Sequence, residues 1–146
     1  MSEPIRRSVR VRCSAAHAFR VFTERIDLWW PQSHRRDAAS VFFIEAGEGG
    51  RFGERLPDGE ERILGKVLHW GPPERLVYSW WPGAVDAPTR VEVRFLAEGD
   101  DTTLVEVRHT EADSKLGDEW PRRAGLFRRA WSQVLPAYVA ETEDER

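Results

Sequence analysis

A chain of 146 residues, 32% charged and 40% hydrophobic, has the balance of one soluble domain with room for a real core. Its net charge of −3 supplies no overall basic field, so nucleic acid is not an expected partner. The longest uncharged stretch, residues 130–140, is too short to span a bilayer. The one cysteine, Cys13, cannot close an internal disulfide, which fits a reducing cytoplasm. Residues 1–12 carry arginines but no apolar run, so no signal peptide is expected. There is no internal repeat or low-complexity linker. A single domain over residues 1–146 is expected, with residues 141–146 as a frayed tail.

Residues 5–12 alternate, with Ile5, Arg7, Val9 and Val11 against Arg6, Ser8, Arg10 and Arg12, and predict a half-buried first strand. Ser14 is placed to cap a short helix over 15–23, with Ala18, Phe19 and Phe22 inward. A second short helix over 24–30 stops at Pro31, and 32–39 reads as a charged loop. Strands follow at 41–45 and 51–56, around a glycine cluster at Gly47, Gly49 and Gly50. The turn Pro57-Asp58-Gly59 leads to a long strand over 61–70, then strands at 76–81, 89–96 and 102–110. In the last two, Val91, Val93 and Phe95 share a face with Thr103, Val105, Val107 and His109. Arg90, Glu92, Arg94, Glu106 and Arg108 then form an outward ladder of mixed sign, which reads as a solvated face.

The chain closes with a long helix over 118–141. Two adjoining rows make its apolar face: Leu126, Ala130, Val134 and Tyr138, and Phe127, Trp131, Leu135 and Val139. Arg122, Arg123, Arg128, Arg129 and Gln133 lie opposite. Asp118 is a candidate N-cap, and Pro121 falls in the first turn. Gly125 is expected to be repaid by close approach to the sheet, and Pro136 to kink or shorten the helix. The order is one strand, two short helices, about six antiparallel strands and a long helix. It defines an α+β domain whose curved antiparallel sheet of about seven strands wraps that helix.

Several ordered motifs resemble those of one superfamily. They are residues 9–11 before Ser14-Ala15-Ala16-His17-Ala18-Phe19; Thr23 with Trp29-Trp30; and the turn Gly49-Gly50-Arg51-Phe52. Gly65-Lys66-Val67 leads to Pro72-Pro73-Glu74-Arg75-Leu76-Val77, then Thr103-Leu104-Val105-Glu106-Val107-Arg108-His109, and Trp131 with Leu135. The set resembles the START-like, or SRPBCC, superfamily with its helix-grip fold, and within it the heat-shock-protein-90 ATPase activator homologue family. The resemblance implies a deep, mainly apolar cavity between sheet and C-terminal helix. Relatives of this kind bind lipids, hormones or polyketides, some catalyse cyclisation or hydrolysis, and some are co-chaperones. Pro136 and the bulky Trp80-Trp81 depart from the pattern and bear on the cavity's size.

No H-E-x-x-H, C-x-x-C, G-x-S-x-G or phosphate-loop pattern occurs. His17, His34, His69 and His109 lack metal-ligand spacing, so neither a metal nor a cofactor is expected, and catalytic residues stay unassigned. His109 is the best polar candidate for the cavity, against the plainer reading of a strand-end histidine bonded to backbone or water. Tyr78, sharing a face with Leu76 and Trp80, needs a partner for its hydroxyl if buried. Arg51 can face in, toward a ligand anion, or out to solvent. His34-Arg35-Arg36-Asp37 reads as a solvated loop near the cavity mouth. Seven tryptophans serve either a filled core or a wide aromatic cavity; of Trp80 and Trp81, one must face away.

The leading expectation is a binding domain for a small hydrophobic or aromatic molecule. Its candidate walls are Trp30, Phe52, Trp70, Tyr78, Trp80, Phe95, His109 and Trp131. The alternatives are a cyclase- or hydrolase-like enzyme using the same cavity and a co-chaperone-like module with a protein partner.

Overall fold

The computed structural model describes residues 4–80, 88–111 and 120–144. Seven strands form one antiparallel sheet in the order β1-β7-β6-β5-β4-β3-β2. They are β1 (Ile5–Val11), β2 (Val41–Ile44), β3 (Arg51–Arg55), β4 (Glu61–Gly71), β5 (Arg75–Trp80), β6 (Thr89–Ala97) and β7 (Thr103–Thr110). After β1 come the helices α1 (Ala15–Thr23) and α2 (Ile26–Trp29) and a 3-10 turn, Gln32–His34. The long helix α3 (Trp120–Asp144) closes the domain. The sheet curls into a half-barrel that grips α3.

Local chemistry accounts for most boundaries. The Ser14 hydroxyl accepts from the His17 N–H and opens α1. The β3–β4 hairpin turns on Gly59, whose φ of 92° is costly for a residue with a side chain. The alternation of the sequence sets the faces. Val91, Val93, Phe95, Val105, Val107 and His109 are buried, while Arg90, Arg94, Glu106 and Arg108 point outward.

Strand β4 breaks its own alternation twice. Phe52 pairs with Gly65 and Gly53 with Ile63, so Leu64 is an extra residue against β3. Val67 pairs with Tyr78 and His69 with Val77, so Leu68 is an extra residue against β5. Such bulges bend a strand and increase its twist. Between them the backbone of Gly65 presses on β5, where an added Cβ would meet the Ser79 carbonyl oxygen at 1.9 Å.

Helix α3 differs from expectation at four points. It runs through Pro136, because Pro136 is exposed while Leu135 and Tyr138 on either side are buried against the domain. Each such burial is worth about 1.5–3 kcal/mol, together enough to offset the lost hydrogen bond. It also continues past Glu141 to Asp144: Thr142 is fully buried and Glu141 meets Arg25 at 3.6 Å. Gly125 makes no close approach to the sheet, since no described atom lies within 4 Å of where its Cβ would sit. Leu126, placed inward by the pattern, is 49% exposed. Asp118, the candidate N-cap, and Trp81 lie outside the described residues.

The backbone of α3 approaches β1, α1 and α2 most closely. Beneath that half, Phe19, Phe22, Trp29, Phe95 and Tyr138 fill the interior. Toward β3, β4 and β5 the helix stands away from the sheet, and a cavity opens there.

Candidate ligand cavity

The cavity has a volume of about 330 Å3 and is partly open to solvent. Its floor comes from the inward positions of the curled sheet: Glu54 on β3, Arg62 and Leu64 on β4, Tyr78 and Trp80 on β5, and His109 on β7. Its roof is α3, through Leu126, Phe127, Ala130, Trp131 and Val134. Trp30, His34 and Phe42 complete the rim. The surface is mostly apolar and rich in aromatic rings, with polar groups at a few defined places, as small-molecule sites usually are.

His109 is fully buried, so it does look in beneath α3. Its partners are neither backbone nor water. The Trp131 Nε1–H donates to His109 Nδ1 at 3.2 Å, and His109 Nε2 lies 2.8 Å from Thr89 Oγ1. The Thr89 hydroxyl in turn donates to the Trp80 carbonyl at 2.9 Å. With Nδ1 accepting, the ring proton sits on Nε2, and the four residues form one directed chain from roof to floor. Burial pulls the His109 pKa down to about 3, so the ring is neutral near pH 7. It fixes the orientation of the Trp131 indole and has no free nitrogen to act as acid or base.

Tyr78 behaves otherwise. It is buried, its ring packs 5.0 Å from Phe52 and 6.1 Å from Trp80, and no hydrogen bond to its hydroxyl is found among the described residues. Burial pushes the hydroxyl above its ordinary range, so it stays protonated. On the cavity wall it can donate one hydrogen bond and accept another.

At the mouth, Glu54 and Arg62 are directly opposed across β3 and β4 and paired at 2.9 Å. Glu54 is a fully buried carboxylate. Its Oε1 takes the Arg62 Nη1–H, and its Oε2 takes the Arg36 N–H at 2.7 Å and the Ser40 hydroxyl at 2.5 Å. The loop after α2 is solvated at Arg36 and Asp37, as its charges suggest, but not at Arg35. Arg35 has a nearly buried side chain and donates to Asp27 Oδ1 and to the carbonyls of Asp27, Trp30 and Ser40. His34, next to it, reaches Gln133 on α3 at 2.7 Å.

Of the eight residues proposed from sequence, Trp30, Tyr78, Trp80, His109 and Trp131 meet in this cavity. Phe52 stands behind the wall, packed on Phe42, Tyr78 and Trp80. Phe95 lies in the filled half, 5.2 Å from Phe19 and 5.9 Å from Phe22. Trp70 lies beyond the second bulge, 5.1 Å from Phe19, on a separate groove beside α1 and Pro72-Pro73. Arg51 faces outward, bound to Glu45 and Glu61. The sequence reading missed Glu54 and Arg62. Glu54 lies two residues beyond Phe52, so placing Phe52 inward places Glu54 inward too, and the hairpin at Gly59 sets Arg62 opposite. Among the described residues, no cluster of three His, Cys, Asp or Glu is set to hold a metal. No helix among them is long and apolar enough to cross a membrane.

The half-barrel, the long gripped helix and the cavity between them define a helix-grip domain. The profile of the family described as Activator of Hsp90 ATPase homolog 1-like protein matches residues 12–140, and the chain belongs to that family. Among solved structures, the anthrahydroquino-gamma-pyrone synthase Txn09 is similar at 34% identity, over 77% of this chain and 79% of the synthase, with a TM-score of 0.58. CalC, a self-sacrificing resistance protein from Micromonospora echinospora, is similar at 27% identity, over 97% and 95% of the two chains, with a TM-score of 0.71. An Hsp90 activator from Plasmodium falciparum shares the fold at 19% identity, over 75% and 73%, with a TM-score of 0.55. Comparison with curated proteins gives no match.

Proposed function

We propose that the protein binds a small, flat aromatic molecule in the cavity beneath α3. The observation that carries this is the open space itself, walled by Trp30, Trp80, Phe127 and Trp131 and bearing a Tyr78 hydroxyl that has no partner among the described residues. An apolar cavity of about 150 Å3 accepts one benzene ring, so 330 Å3 suits roughly two or three fused rings. Leu126, exposed at the mouth, would be covered by such a ligand. The similarity to a synthase of a fused aromatic product supports the same ligand class.

Three tryptophans line the cavity, so intrinsic fluorescence reads occupancy directly. Titration with fatty acids, sterols, flavonoids and polyketide-like aromatics should give saturable quenching with the flat aromatic members. Leu126→Glu, a change at an exposed helix position, should weaken that binding while the protein stays folded. A flat response across the panel from folded protein would overturn the reading.

A second reading has its own support. The 34% identity to a synthase favours chemistry in the same cavity. Tyr78 is then the candidate acid or hydrogen-bond donor, since both His109 nitrogens are engaged. Product formation from a bound polyketide-like aromatic should disappear in Tyr78→Phe while binding survives. Unchanged turnover in that variant would remove Tyr78 from the chemistry.

A further inference from the structure

We infer that the cavity selects aromatic ligands carrying an anionic group, a carboxylate or phenolate, and that Arg62 is the residue that reads it. The inference rests on the binding reading above and adds the ligand's charge and orientation.

The polar groups of the cavity are unevenly committed. His109 has used both ring nitrogens. Glu54 is supplied by two donors besides Arg62, the Arg36 N–H and the Ser40 hydroxyl, so its charge is spread over three hydrogen bonds. A guanidinium carries five N–H donors. Arg62 gives one of them, from Nη1, to Glu54, and no other acceptor for it is found among the described residues. Some arginines on the sheet's outer face are used more fully, although Arg75 gives a single donor, to Glu92. Arg51 meets two carboxylates through three nitrogens, and Arg55 and Arg10 each hold one carboxylate through two. Arg62 is a singly held cation, like Arg75 on Glu92, and unlike Arg75 it borders the aromatic cavity.

The placement adds to this. The Arg62 side chain is 29% exposed, with Leu64, Trp30 and Phe42 on the same cavity wall. A donor partly withdrawn from water binds an anion more strongly than one in open solvent. Glu54 holds the guanidinium from the sheet side, which fixes its remaining donors in place before a ligand arrives. A ligand would then lay its rings between Trp131 and Tyr78 and turn its anionic edge toward the mouth. The Glu54–Arg62 pair is close to neutral as a unit, so the selection comes from directed donors rather than net charge. The effect is therefore modest, about tenfold in Kd, corresponding to one charge-assisted hydrogen bond.

The test uses two probes of equal shape, naphthalene-2-carboxylate and naphthalene-2-carboxamide, titrated into the full chain by calorimetry. Wild type should bind the carboxylate about tenfold more tightly than the amide. Arg62→Met should abolish the difference by weakening only the carboxylate, with amide affinity kept within about twofold. Should Arg62→Met fail to fold with Glu54 left unpaired, the double variant Glu54→Gln with Arg62→Met removes both charges and gives the same reading. Equal affinities in wild type, or a preference that survives loss of Arg62, would overturn the inference while leaving the cavity as a binding site. Binding of neither probe would overturn the binding reading and this inference together.

Discussion

The interior beneath α3 has two halves of similar composition and opposite character. The half toward α1 and α2 holds Phe19, Phe22, Trp29, Phe95 and Tyr138, with ring centroids 5.2–5.9 Å apart. The half toward β3–β5 holds Trp30, Tyr78, Trp80, Phe127 and Trp131 around open space. Aromatic content does not separate them. What separates them is whether anything is inserted between sheet and helix, and where the polar tips go. In the filled half, Trp29 Nε1–H donates to the Val21 carbonyl and the Tyr138 hydroxyl to the Ala18 carbonyl, each at 2.8 Å, so α1 is tied in by its backbone. In the open half, Trp131 is held by the side chain of His109 and Tyr78 by nothing among the described residues. Trp30 is the exception in the open half, donating its Nε1–H to the His34 carbonyl at 3.2 Å.

The largest test of this contrast is a pair of truncations. Trp29→Ala should cost about 3–5 kcal/mol in urea unfolding, because the surrounding rings cannot collapse into the gap. Trp80→Ala enlarges a space that already exists and should cost less than half as much. Equal losses would mean that the two halves are packed alike.

Acid should act selectively on the open half. Burial disfavours protonated His109 in the folded state, whose pKa falls to about 3, while the unfolded chain titrates near its ordinary value of about 6.5. Between those values the unfolded state binds more protons. The contribution of His109 is therefore complete above about pH 6.5 and declines as pH falls toward 3, by up to about 1.4 kcal/mol per pH unit. Unfolding of wild type and His109→Gln at several pH values should show this component in the first and not in the second. Parallel pH dependences would show that His109 is not buried neutral.

The smallest effect compares two hydroxyls. Tyr138→Phe removes the hydroxyl's hydrogen bond to the Ala18 carbonyl and should cost about 1 kcal/mol. Tyr78→Phe removes a group with no partner among the described residues and should leave stability within about 0.3 kcal/mol of wild type. A loss at Tyr78 as large as at Tyr138 would reveal a partner and weaken its assignment as a ligand contact.

Much of this was legible in the residues. Period-two alternation placed β1, β6 and β7 with their faces correct, because each is half-buried and a one-residue slip would turn every side chain over. Ser14 marked the start of α1, and Leu76, Tyr78 and Trp80 were put on one face of β5. The losses cluster where a local pattern meets a non-local constraint. Trp70 is a candidate wall on the supply of aromatic residues and the resemblance alone, and no signal short of the pairing itself reveals the two extra residues that precede it on β4. Arg35 read as a solvated charge because its four acceptors are mostly backbone carbonyls, which carry no mark in the sequence. Leu126 followed the helical period yet stays exposed, since α3 leans away from the sheet just there.

Where α3 stands away from the sheet, β4 is longer than the strands it joins. Leu64 and Leu68 have no opposite number on β3 and β5 respectively. At about 3.3 Å per residue, each gives β4 roughly 3 Å of extra path against one neighbour. A strand that must travel farther than its neighbours takes the outer lane of a bend, and the space under α3 lies on the inside of that bend. A count of residues along one strand thus bends the wall of the site, and Leu64, one of the two, also lines it.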